Sequence, residues 1–130
     1  MKFLILALIL LPSSFVFADD GTVTSQLSSE PTILTVGNQI MITADVSNNQ
    51  DIQQSFAYLT QVKDENQIVI SLSWLTGSLS PRQSLSPAQS WTSTESGMYT
   101  IEVFVWKGID NPEALSAPLS MTVKVIDPPT

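Results

Sequence analysis

Apolar and polar side chains alternate with a period of two along most of the chain. Ile40, Ile42, Ala44 and Val46 interleave with Met41, Thr43, Asp45 and Ser47, the pattern of a half-buried β-strand. Phe56, Tyr58, Thr60 and Val62 mark a second strand, and Ile68, Ile70, Leu72 and Trp74 share one face of a third, Ile68 to Leu75. A short strand from Gln89 to Thr92 leads into "TESGMYTIEVFVW", Thr94 to Trp106, and a last strand runs from Leu119 to Ile126. Thr22 to Thr24 and Thr32 to Val36 are weaker candidates. Between them lie turn formers: Ser28-Ser29-Glu30-Pro31, Gly37-Asn38, Asn48-Asn49-Gln50-Asp51 and Lys63-Asp64-Glu65-Asn66. Gly77 to Pro87 reads as a Ser/Pro-rich connection, and Gly108 to Pro118 as a long loop with room for one helical turn at Asn111 to Leu115. Asp127-Pro128-Pro129 ends the pairing, because proline has no N–H to donate. About seven strands with turns every roughly 8–12 residues predict an all-β sandwich.

The N-terminus follows a different pattern. Met1-Lys2 supplies one positive charge, Phe3 to Leu11 is unbroken apolar sequence, and Pro12-Ser13-Ser14 interrupts it. Val16 and Ala18 place modest side chains where a signal peptidase reads. Residues 1–18 are therefore expected to be a secretory signal peptide, with the sandwich occupying 19–130. The alternative is an uncleaved anchor, but a span needs about 20 apolar residues and this run is shorter and broken by Pro12. No cysteine follows, which excludes a lipoprotein anchor. The expectation is a secreted or cell-surface protein with no membrane span after cleavage.

Composition narrows the chemistry. Removing eighteen of 130 residues leaves 112, one domain's worth. Loss of Lys2 leaves four basic against twelve acidic residues, a net charge of −8. Such a surface repels nucleic acid, which needs clustered Lys and Arg. The chain has no cysteine and no histidine. The core alone must hold an exported domain without disulfides, and Ser-His-Asp relays, Cys-His relays and the usual zinc sites are excluded. A glycosidase needs two carboxylates about 5–10 Å apart in a cleft, for which a sandwich this small has little material. The expectation is therefore no enzyme, no catalytic residue and no cofactor. Asp110-Asn111-Pro112-Glu113 and Asn48-Asn49-Gln50-Asp51 offer oxygen ligands, but neither has the spacing of a defined calcium loop. They read as turns, and no metal site is assigned.

One stretch carries a resemblance. Glu95-Ser96-Gly97-Met98-Tyr99-Thr100-Ile101 resembles the start of strand F in the immunoglobulin-like fold. The resemblance implies a tyrosine corner, in which the Tyr99 hydroxyl returns to the backbone upstream and Gly97 frees the turn. Ile101 stands where antibody domains carry their second cysteine, and the Phe56 to Val62 strand lacks a core tryptophan. The chain is instead similar to cysteine-free Ig-like modules of prokaryotic surface proteins, including the cell-adhesion-related domain of bacteria and archaea. Val36-Gly37, Ile40 to Asn49, Ser80-Pro81-Arg82-Gln83-Ser84 and Gly97 to Val105 carry that similarity, and Trp106 to Leu115 is similar to small secreted archaeal proteins of this kind. These motifs imply a fold and a role in adhesion or surface assembly rather than an activity.

Alternation also predicts a contact face. Tyr99, Ile101, Val103 and Val105 share one side of their strand, and Thr100, Glu102, Phe104 and Trp106 the other. With Tyr99 in the core, Phe104 and Trp106 face outward beside Ala57, Leu59 and Gln61 of the neighbouring strand. Ala57, Leu59, Phe104 and Trp106 are thus the candidate contact face, unless the Gly108 to Pro118 loop or the N-terminal arm covers it. Trp74 and Trp91 are expected in the core, given the surface each must hide. The functional expectation is a non-catalytic module that binds a protein partner or itself. A carbohydrate- or calcium-binding module is the alternative, since tryptophans beside acidic residues also line sugar sites.

Overall fold

Ten β-strands and no helix make up the regular structure of the computed structural model, which describes residues 23–28 and 33–129. The signal peptide expected at 1–18 lies outside the described residues. In chain order the strands are β1 (Val23–Leu27), β2 (Ile33–Thr35), β3 (Gln39–Asn48), β4 (Gln54–Lys63), β5 (Val69–Leu79), β6 (Ser84–Leu85), β7 (Ala88–Thr92), β8 (Gly97–Gly108), β9 (Asn111–Ala114) and β10 (Leu119–Ile126). They form two sheets. In one, β3 is flanked by β1 on one side and by β6 and β7 on the other. In the other, the order is β2-β10-β8-β4-β5, with β9 also paired to β8. All pairings are antiparallel except β2 with β10. The fold is an immunoglobulin-like β-sandwich.

The core follows from the alternation. Ile40, Ile42, Ala44 and Val46 of β3 face Tyr99, Ile101, Val103 and Val105 of β8, Phe56, Tyr58 and Val62 of β4, and Met121, Val123 and Val125 of β10 in one buried cluster. Trp91 joins it from β7, its ring meeting Tyr99 edge-on at 5.1 Å. Packing two apolar faces in this way is what stabilises a sandwich without disulfides.

Two turns depend on particular residues. Gly37 adopts φ +91° between β2 and β3, a conformation costly for any residue with a Cβ. Asn48, buried at the end of β3, donates from Nδ2 to the carbonyls of Ile52 (2.8 Å) and Ser80 (3.0 Å), while its Oδ1 accepts from Gln50 N at 3.1 Å. One amide thus ties the 49–53 turn to the end of β5.

The structure corrects the sequence reading in three places. The strand expected to end at Leu75 continues to Leu79, and β6 forms inside the Ser/Pro-rich connection. Asn111 to Ala114 is β9 rather than a helical turn, because it finds a ready ladder on β8. Finally, Ile68, Ile70, Leu72 and Trp74 are exposed instead of buried. Trp74 pairs with Leu59, on the outward row of β4, so register places it on the solvent side.

Candidate contact face

Direct partners in antiparallel strands share a face, so the register maps the outer surface of the six-stranded sheet. One row runs Trp74–Leu59–Phe104 across β5, β4 and β8, and the next runs Thr76–Ala57–Trp106–Ala114. Phe104 and Trp106 are half-buried, with ring centroids 6.0 Å apart and planes tilted by 46°. All four sequence-predicted residues therefore lie on one outward face. Two of them are not accessible. Ala57 is 0% and Leu59 5% exposed, although both point away from the core. Each sits in the centre of a row, with larger side chains on both neighbouring strands: Trp74 and Phe104 beside Leu59, Thr76 and Trp106 beside Ala57. They form the floor of the patch. The accessible part shifts towards β5, where Leu72 is 50% and Trp74 54% exposed.

The 109–118 segment does not fold over this face. β9 extends the sheet beside β8, and the Leu115 N–H donates to the Val105 carbonyl at 2.8 Å. Ser116 then reaches the other sheet through a 2.7 Å hydroxyl contact with Ser25 of β1.

Polar groups border the patch. Gln61 donates to Glu102 at 2.8 Å, and Lys63 pairs with Glu102 at 3.1 Å. Beyond Trp106, Lys107 pairs with Glu113 at 2.9 Å and ties β8 to β9. An apolar centre within a neutralised polar rim is the usual anatomy of a protein contact.

From Ser71 to Trp74, β5 is inverted relative to its neighbours. Its inward positions opposite Val62 and Thr60 are Ser71 and Ser73, while its outward positions opposite Gln61 and Leu59 are Leu72 and Trp74. Gly77, inward, lets the Phe56 ring approach to about the limit a Cβ would allow: the nearest ring atom lies 3.2 Å from where that Cβ would be. A β-bulge at Val62/Lys63 leaves Ile70 out of register, so the inversion covers Ser71 to Trp74, and beyond it Leu75 and Leu79 return to the core side.

The corner before β8 forms around the two residues that pointed to it. Tyr99 Oη donates to the Glu95 carbonyl at 2.8 Å. Gly97 takes φ +151°, and a Cβ there would stand 3.4 Å from Glu65 Oε2. That carboxylate also accepts from Met98 N at 3.0 Å. Desolvation, and then the charges of Glu95, Asp64 and Glu65, push the Tyr99 phenol above its ordinary pKa.

A cleft of about 470 Å³ opens beside this corner, lined by Asp64, Ile70, Ser71, Trp91, Glu95 and Tyr99 among others. Its carboxylate Asp64 is occupied as a turn acceptor for Asn66 N and Ile68 N, and Trp91 is buried against Tyr99. Among the described residues, no three Asp, Glu, His or Cys side chains gather closely enough to hold a metal ion. One carboxylate of each oxygen-rich loop weighed from the sequence makes an ion pair. Asp51 pairs with Arg82 at 2.9 Å, which holds its carboxyl below the usual range, and Glu113 pairs with Lys107.

No protein-family model matches the chain, and no curated protein matches it in sequence. Solved structures do resemble it in fold. The CARDB domain of the PF1109 protein from Pyrococcus furiosus, solved in complex with di-metal ions, is 22% identical with a TM-score of 0.58, over 81% of this chain and 86% of that one. A β-glucosidase from Listeria innocua is 15% identical with a TM-score of 0.63, over 79% of this chain but 16% of the enzyme. A cycloisomaltooligosaccharide glucanotransferase from Paenibacillus sp. is likewise 15% identical at 0.63, over 80% of this chain and 14% of the enzyme. The likeness to both enzymes is confined to a small part of their length.

Proposed function

We infer that this chain is an exported, non-catalytic Ig-like module that works by protein contact at the cell surface, through the outward face of β5, β4 and β8. The inversion of β5 carries this reading. β5 does place Leu75 and Leu79 on the core side, but from Ser71 to Trp74 it turns serines inward and Leu72 and Trp74 towards water, the opposite of what the hydrophobic effect rewards in a lone sandwich. The arrangement becomes favourable when a partner covers the outer side. The fold likeness to the CARDB domain supports a module of this class, and the signal-like N-terminus supports its export.

A photo-reactive phenylalanine in place of Trp74, with the same group at exposed Met41 of the other sheet as control, tests the reading in the cells that export the protein. A protein adduct from position 74 and none from 41 is expected. An adduct with polysaccharide from position 74, or no adduct there, would overturn it.

A further inference from the structure

Among the described residues, β5 has β4 as its sole pairing partner, so it forms one edge of the six-stranded sheet. Edge strands are usually shortened, charged or kinked, because their free N–H and C=O groups invite pairing with another chain. Most edges of this molecule follow that rule. β2 has three residues, β1 has five, and the β6–β7 edge is broken at Ser86-Pro87. β5 does not. It has eleven residues, VISLSWLTGSL, without a charge or a proline, and is regular from Ser71 to Leu79.

We propose that the occupant of this edge is a second copy of the chain, paired β5 to β5 in antiparallel sense about a two-fold axis at Trp74. The proposal goes beyond the contact-face reading above: it concerns the edge of β5, and pairing there joins the two outward faces into one wider surface. Charge favours a copy. The chain carries a net −7, so two copies repel wherever unmatched carboxylates approach within about 8 Å, the screening length at physiological salt. Along β5 there is no carboxylate, and the Glu102 carboxylate of the same face is tied up by Lys63. Two acidic molecules can meet here without opposing like charges.

Geometry fixes the register. Pairing β5 over its whole length places the axis at its midpoint, Trp74, and sets Leu72 opposite Thr76 of the second copy. Directly opposed residues share a face, so the two outward rows join: Phe104, Leu59 and Trp74 of one copy continue into Trp74, Leu59 and Phe104 of the other. Such isologous pairing closes after two copies and leaves no further edge of this kind. One strand pair is small beside the roughly 800 Å² per partner of a stable interface, so the dimer should dissociate in the micromolar range, about 1–100 µM.

The purified protein should shift from monomer to dimer over that range in analytical ultracentrifugation, and Trp74→Lys, which opposes two ammonium groups at the axis, should stay monomeric. Because the chain has no cysteine, the register can be trapped. Oxidising a mixture of Leu72→Cys and Thr76→Cys chains should give mixed disulfides in about tenfold excess over self-linked ones, since only the mixed pair meets disulfide geometry. Both residues are exposed, so neither change disturbs the core. A wild type that remains monomeric at about 100 µM, or mixed and self-linked disulfides in statistical proportion, would overturn the proposal. An adduct in cells between position 74 and a different protein, with the purified chain monomeric, would refute self-pairing while leaving the contact face intact.

Discussion

β8 and β5 lie in the same sheet with β4 between them, and they treat alternation in opposite ways. β8 turns Tyr99, Ile101, Val103 and Val105 inward, where all are buried, and its outward Phe104 and Trp106 are half-covered. β5 turns Ser71 and Ser73 inward and leaves Leu72 and Trp74 half-exposed outside. The period is two along β8 and along β5 as far as Trp74, after which Leu75 and Leu79 face the core. What differs is the phase relative to β4, and phase is set by pairing rather than by the strand's own residues. A strand that closes a core and a strand that prepares a contact can therefore look alike until their register is known.

The contrast predicts unequal responses to mutation. The largest effect belongs to the inner row of β8: Ile101→Ala should lower stability by about 2–5 kcal/mol in urea melts, through a core cavity. Tyr99→Phe removes the hydroxyl that reaches the Glu95 carbonyl, and should cost about 1 kcal/mol by the same assay. No change would show that the corner holds without it.

Tyr99 and Tyr58 also give the fold an alkaline limit. Burial raises both phenols above 10.0, with nearby carboxylates adding to the shift at Tyr99. A folded pKa above the unfolded one means the neutral phenol is favoured by folding. That contribution is complete below pH 10.0 and is lost as pH rises through the folded values. Melts from pH 8 to 11, compared with the Tyr58→Phe chain, should show a decline only at the alkaline end, and a smaller one in the variant. The smallest effect is expected on the outer row of β5. Trp74→Ser should change monomer stability by less than about 0.5 kcal/mol, and a loss comparable to Ile101→Ala would place Trp74 in the core after all.

Much of this architecture is legible in the residues. The alternation of β3, β4, β8 and β10 reveals both the strands and their buried faces, because large β-branched and aromatic side chains occupy every second position. The tyrosine corner is legible for a local reason: Glu95, Gly97 and Tyr99 lie within five residues of each other. The phase of β5 is not legible, since Leu72 and Trp74 look like core residues until Leu59 is known to be opposite Trp74. The candidate face is legible only in part. Alternation points Ala57 and Leu59 outward, but their burial depends on Trp74, Phe104 and Trp106, which reach them from other strands. Asn48 looks like an ordinary turn residue, and its grip on Ile52 and Ser80 appears only once β3 and β5 end side by side.

The claim that β5, and not another edge, is the side left for contact can be tested by hydrogen exchange along the backbone as protein concentration rises from about 1 to 100 µM, the range of a weak strand-paired dimer. The prediction is that the amides of β5 that point away from β4 become protected while those at the free side of β1 continue to exchange at their original rate. Exchange from β5 that stays as fast at the highest concentration as at the lowest, or protection that appears at β1 instead, would contradict the account.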